Sequence, residues 1–175
     1  MASENKTINI AVVGSTRSGK SALTEALRKE AEWAGKPLNF TEIHNHNDLH
    51  GHQYDVVLQV VDSTNLEQSL LLTPHIIDEE EKIVLAFNRY DLLLKTGHSL
   101  DLPKMQDLMG VPLALVSASK GHGIGEILHL IEQTEAAPLS TDHPVYHAWE
   151  QHDEDAYAGY VHGVLMQTLL HPKDD

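Results

Sequence analysis

The stretch Ile8-Asn9-Ile10-Ala11-Val12-Val13-Gly14-Ser15-Thr16-Arg17-Ser18-Gly19-Lys20-Ser21-Ala22 decides the fold. An apolar run ends in an octet, Gly14 to Ser21, that fits G-x-x-x-x-G-K-[ST] in full, and a helical pattern follows. Strand, glycine loop and helix, in that order, are what a phosphate-binding loop needs. Glycine lets the backbone curl so that successive N–H groups converge on phosphate oxygens. The helix N-terminus adds partial positive charge at the same place. Lys20 is expected to reach the β- and γ-phosphates and act as the catalytic cation, with the Ser21 hydroxyl as an Mg²⁺ ligand. Gly14, Ser15, Thr16, Arg17, Ser18, Gly19, Lys20, Ser21 and Ala22 form the expected phosphate site.

Outward from this loop, apolar strands alternate with helical stretches. Strands are expected over 7–13, 38–43, 54–61, 82–88 and 112–117, and helices over 19–33, 65–78, 101–109 and 124–134. Repeated β-α units predict an α/β fold with a mostly parallel sheet flanked by helices. Val56 to Val61 and Ile83 to Phe87 are near-continuous apolar runs of the kind buried parallel strands show. The composition shifts near Ala136. Residues 1–136 read as one P-loop domain, and 137–175 as a linker followed by an acidic, histidine-bearing helical tail. Tyr157, Tyr160, Val161, Val164, Leu165, Thr168 and Leu169 recur there at helical spacing, which predicts a helix packed on the domain or on a partner.

Two motifs at later strand ends select the nucleotide. Asn88-Arg89-Tyr90-Asp91 fits N-[KR]-x-D loosely. Guanine presents an N1–H and N2–H₂ donor pair that the Asp91 carboxylate can accept together; adenine has no such pair. Asn88 is expected to bond guanine N7 and tie its loop to the phosphate loop. Val116-Ser117-Ala118-Ser119-Lys120 fits an S-A-x loop whose backbone N–H meets guanine O6. Asn88, Arg89, Asp91, Ser117, Ala118 and Ser119 therefore complete the expected guanine-nucleotide site, at the sheet edge where doubly wound folds hold ligands.

These motifs, with Val60-Val61-Asp62-Ser63-Thr64-Asn65-Leu66-Glu67-Gln68-Ser69-Leu70-Leu71-Leu72-Thr73, resemble the cytosolic G domain of bacterial FeoB-type ferrous-iron transporters. The resemblance covers about 8–33 and 54–134. It implies a small-GTPase fold, GTP or GDP with Mg²⁺ as ligands, and a membrane transporter component or another protein as partner. In that family a permease and a helical subdomain accompany the G domain; the tail from His143 resembles that helical appendage little.

The chain also departs from the family. Arg89 stands where Met or Lys is usual. Trp33-Ala34-Gly35-Lys36-Pro37 resembles the family's Trp-Pro-Gly-x-Thr switch, but Pro37 replaces the threonine and has no hydroxyl to ligate Mg²⁺. Thr41 is a substitute if it lies outside the strand. Asp48-Leu49-His50-Gly51 fits D-x-x-G formally, several residues beyond the strand. Only 21–53 is available for a segment that holds two strands and both switches in a full G domain. Asp62 reads as a turn or cap residue.

The whole chain of 175 residues fits one domain with a sizeable core. A net charge of -14 argues against nucleic-acid binding, though not against a nucleotide whose phosphates are neutralised locally. With no cysteine there is no disulfide or thiolate site. No apolar run is long enough to span a bilayer, and the N-terminus lacks a signal-peptide core, so a cytoplasmic protein is expected. Histidine is unusual: 13 against 12 lysines and arginines together. His44, His46, His50 and His52 crowd one segment and are either transition-metal ligands or part of a solvated polar loop.

Two functions remain open at this point. One is a slow GTPase; the other is a catalytically defective G-like regulatory or metal-responsive adaptor. A P-loop ATPase or kinase of another kind is disfavoured by Asp91.

Overall fold

The computed structural model describes residues 6–15, 17–44, 49, 54–73, 75–76, 82–137 and 154–171. Five parallel strands form the main sheet: β1 (Ile8–Gly14), β2 (Leu38–Glu42), β3 (Val56–Asp62), β4 (Ile83–Asn88) and β6 (Leu113–Leu115), in the order β2-β1-β3-β4-β6. The helices are α1 (Lys20–Trp33), α2 (Leu66–Leu70), α3 (Tyr90–Lys95), α4 (Leu102–Met109), α5 (Ile124–Ala136) and α6 (Glu154–Thr168). A second, two-stranded antiparallel ribbon joins β5 (Ser99–Leu100) to β7 (Leu169–Leu170).

Strand alternation divides the core into two layers. Ile10, Val12, Leu58, Val60, Val84 and Ala86 face α1 and α5, represented by Leu23, Leu27, Ile127 and Ile131. Ala11, Val13, Val57, Val61, Leu85 and Phe87 face the other way, against Leu66, Met105, Val161 and Val164. Both faces of the sheet are thus covered, which is why β3 and β4 are buried at every position.

The expected α/β architecture is present, with three differences. The helix expected over 65–78 is interrupted: Leu66–Leu70 is one helix, residues 71–72 are a turn, and Thr73, His75 and Ile76 are helical again. Buried Gln59 explains the break: its amide donates to the Ser69 carbonyl at 3.0 Å and accepts from the Thr73 hydroxyl at 2.8 Å. The first of these bonds occupies the Ser69 carbonyl, which a continuous helix would offer to the N–H of Thr73. The short α3 and the β5–β7 ribbon were not legible from periodicity, because each is too short to show one. The expected tail helix forms and packs on the domain itself, through buried Val161, Val164 and Leu165. Tyr160 donates its hydroxyl to the Leu108 carbonyl, and burial pushes its phenol up to about 12.

Candidate functional site

β1 delivers Gly14 beside Val60 of β3. Its φ is 155°, and a Cβ there would lie 2.7 Å from the Val60 carbonyl oxygen, so a side chain cannot be accommodated. The loop then folds on itself: Ser18 donates its N–H and its hydroxyl to the Ser15 carbonyl, at 3.2 and 2.7 Å. Gly19, left-handed, caps α1 with a φ of 81°. Lys20 is buried, and its ammonium donates to the carbonyls of Gly14 (3.3 Å) and Ile43 (3.0 Å). A phosphate would replace these two acceptors. Arg17 and Ala22 are exposed at the mouth of the loop, as is Ser15; Thr16 lies outside the described residues.

The Ser21 hydroxyl donates to Glu42 Oε1 at 2.7 Å. Glu42 ends β2, and β2 lies directly alongside β1, Val12 facing Glu42 in register. This carboxylate is a candidate site residue the sequence did not reveal. Over 38–43 the pattern shows only a strand, and its partner strand is written nowhere in the local sequence. A hydroxyl and a carboxylate together at a phosphate loop are hard oxygen donors of the kind Mg²⁺ takes.

The base side is more tightly built. Asn88 ends β4 with 2% exposure. Its amide donates to the Ser18 carbonyl at 2.9 Å and accepts from the Ala118 N–H at 3.1 Å. One side chain therefore joins the phosphate loop, the end of β4 and the Ser117–Ser119 loop. Gly19 is part of the same fit, since a Cβ there would meet Asn88 Nδ2 at 2.5 Å. Arg89 sits in the left-handed region, with φ 61°, and caps α3. Its guanidinium reaches Asp62 Oδ2 at 3.6 Å. Asp62 also accepts from the Thr64 N–H and hydroxyl, at 2.9 and 2.6 Å, which makes it the turn residue expected. Asp91, in the first turn of α3, is half-buried and has no ion-pair partner among the described residues. Ser117 is buried, with Ser119 exposed beside it.

The Trp33–Pro37 stretch does not sit where a switch would. It is the turn from α1 into β2, and Pro37 accepts from the N–H of Ile8 at 2.9 Å. Because β2 runs parallel to β1, Pro37 lies at the end of the sheet opposite the phosphate loop. Thr41 pairs with Ala11 inside β2 and does not replace the missing threonine. Asp48 and Gly51 lie outside the described residues, as do His46, His50 and His52. His44 is exposed and lines a cavity of about 370 Å³ beside Gly14 and Ser15. Among the described residues no three metal-ligating side chains gather at one point.

Against known proteins, the family described as Ferrous iron transport protein B matches residues 36–131. The chain belongs to that family. The Fe(2+) transporter FeoB of Helicobacter pylori (strain ATCC 700392 / 26695) is 33% identical over 145 residues, covering 65% of this chain and 23% of that protein. The chain thus spans about a quarter of the length of that FeoB relative. Solved structures share the fold. The apo cytosolic domain of the T. maritima FeoB iron transporter superposes with a TM-score of 0.77 at 18% identity, over 94% of this chain and 100% of that one. NFeoB from S. thermophilus, bound to GDP.AlF4- and K+, gives a TM-score of 0.69 at 22% identity, over 77% of this chain and 65% of that one. No described helix of the present FeoB-family chain is long and apolar enough to cross a membrane.

Proposed function

We propose that this FeoB-family chain binds a guanine nucleotide at the end of β1 and β4 and hydrolyses GTP slowly. The observation that carries the reading is the Asn88 tie, which holds the phosphate loop and the Ser117–Ser119 loop at hydrogen-bonding distance from one amide. That is the arrangement a nucleotide needs, with phosphates at one end and a base at the other. The GDP-bound S. thermophilus relatives support the ligand class. Residues 1–136 carry this site, and within 137–175 the helix Glu154–Thr168 packs on the domain.

Each group has a chemical task. Loop N–H groups and Lys20 offset the negative charge that develops on the β- and γ-phosphate oxygens as water attacks phosphorus. Asp91 accepts the guanine N1–H and N2–H₂ pair. Ser21 and Glu42 are the residues that would hold Mg²⁺, which when bound supplies further charge neutralisation at the phosphates. Turnover is slow because α1 runs straight into β2 through the turn at 34–37, leaving no segment there to close over the γ-phosphate. A membrane-embedded iron-transport component is the partner this reading assigns.

The test is competition between GDP, GTP and ATP for the wild-type chain, followed by phosphate release. GDP and GTP should outcompete ATP, with each hydrogen bond to the buried base worth about 1–3 kcal/mol. Asp91→Asn should weaken GDP and admit xanthosine diphosphate. Lys20→Ala should remove measurable affinity while leaving the circular dichroism spectrum unchanged. Equal binding of ATP and GTP would end the guanine assignment.

A further inference from the structure

The β5–β7 ribbon carries two histidines that the nucleotide site does not use. Ser99 faces Leu170, and Leu100 faces Leu169. Continuing that register by one residue sets His98 directly opposite His171. Side chains at such facing positions are near neighbours on one side of a ribbon. The two imidazole centroids are 5.1 Å apart, with the rings at 77°. A metal bound to both rings at about 2.0–2.1 Å from each nitrogen would hold their centroids at about this separation.

The tautomer of His98 is fixed by its neighbour. The Thr96 hydroxyl lies 2.6 Å from the Leu93 carbonyl and 2.7 Å from His98 Nδ1. A carbonyl has no proton to give, so the single hydroxyl proton goes to Leu93. His98 Nδ1–H must then donate to Thr96, and its Nε2 is left with a bare lone pair. Metal-ligating imidazoles are usually oriented by donating their other ring N–H to an outer acceptor, and the Thr96 hydroxyl is such an acceptor here.

His98 and His171 also line one cavity of about 400 Å³ with His162 and Glu67. His162 Nδ1 is 3.4 Å from Glu67 Oε1, which brings a carboxylate to the same wall. His98 is half-buried and His171 is exposed, so the pair is open to solvent ions.

We propose that His98 and His171 form a two-imidazole site for a divalent first-row transition metal, which clips the C-terminal helix onto the domain. Imidazole nitrogen suits Cu²⁺, Ni²⁺, Zn²⁺ and Fe²⁺, and rejects Mg²⁺, which prefers oxygen. Water completes the coordination, because no third ligand converges among the described residues. The clip matters because the ribbon it closes has two residues per strand and is weak by itself. A metal that both rings hold only in the folded chain stabilises that chain by mass action, and with it the docking of the C-terminal helix.

The test is calorimetric titration of NiCl₂, ZnCl₂ and MgCl₂ into the full chain, with thermal melts in parallel. Wild type should take up one Ni²⁺ or Zn²⁺ per chain and melt higher with it, while MgCl₂ at the same concentration gives no heat at this site. His171→Gln and His98→Gln should each abolish the binding and the rise in melting temperature. Thr96→Val, which keeps both ligands but frees the His98 ring, should weaken Ni²⁺ by roughly 10–100-fold. A variant with His44, His46, His50 and His52 all changed to Gln should retain the site in full. Copper(II) paramagnetic resonance should show two coupled nitrogens in wild type. The proposal is overturned if wild type binds no Ni²⁺ or Zn²⁺. It is also overturned if His171→Gln and His98→Gln, with unchanged circular dichroism, bind like wild type, or if binding is lost only in the four-histidine variant.

Discussion

The two sides of the nucleotide rim are built differently. On the β4–β6 side, one buried amide joins two loops and a strand end, and Gly19 leaves no room for that amide to move. On the β2 side, Ser21 donates to Glu42 in an exposed bond, Lys20 reaches the Ile43 carbonyl, and among the described residues β2 is the last strand of the sheet. The contrast separates two tasks. Under the proposed function, holding a nucleotide would fall to the buried side. Under the same proposal, sensing the γ-phosphate would fall to the β2 side, since an ordered switch is what reports that phosphate.

The strongest blow to this asymmetry is Asn88→Ala. It would strand the Ser18 carbonyl and the Ala118 N–H at the same time. Two unsatisfied groups at about 1–3 kcal/mol each predict a loss of about 2–6 kcal/mol in urea unfolding. GDP affinity should fall with it, because both loops lose their common anchor. A variant that unfolds at the wild-type urea midpoint and binds GDP normally would show that the buried side is no stiffer than the exposed one.

Legibility in the sequence follows the same line. The placement of the phosphate loop, Asn88 and Ser117–Ser119 at strand ends was readable because each is a short motif whose strand directly precedes it. Glu42 was not readable: its meaning comes from the parallel pairing of β2 with β1, and pairing leaves no local mark. Trp33–Pro37 misled for the same reason. Its residues resemble a switch, but a β-α-β crossover carries them to the far end of the sheet. Gln59 hid as well, since a buried polar residue inside an apolar strand does not announce that it will interrupt α2. The ribbon of β5 and β7 links positions about seventy residues apart, and two-residue strands carry no period.

A smaller effect is expected from Glu42→Gln, which sharpens the comparison from the exposed side. The amide keeps a hydrogen bond to Ser21 but removes the charge that would favour Mg²⁺. Mg²⁺ should then enhance nucleotide affinity about tenfold less than in wild type, on the order of 1.4 kcal/mol. Mg²⁺-free GDP affinity and urea stability should hardly change, as the pair is solvated. Nucleotide titrations with and without MgCl₂ measure both. If the Mg²⁺ enhancement is intact, Glu42 is not the acid of this site, and the β2 side contributes nothing to the metal.

The smallest effect is expected from Pro37→Thr, although comparison of motifs alone would make it the most interesting substitution. Restoring the family's threonine ought to restore an Mg²⁺ ligand if Trp33–Pro37 were a switch. The sheet forbids it. Pro37 adjoins Ile8 at the start of β1, and Gly14 stands at its other end. At about 3.3 Å per residue, the strand puts roughly 20 Å between that turn and the phosphate loop. A threonine hydroxyl cannot cover that distance, and the Pro37 carbonyl that holds Ile8 is kept by either residue. GTP turnover and Mg²⁺ affinity should therefore remain within about twofold of wild type. Stability should drop by about 0.4–1 kcal/mol, since threonine leaves the unfolded chain more freedom than proline. A gain in turnover from this one change would mean that the turn can reach the nucleotide. The parallel placement of β2 beside β1, and the asymmetry built on it, would then have to be abandoned.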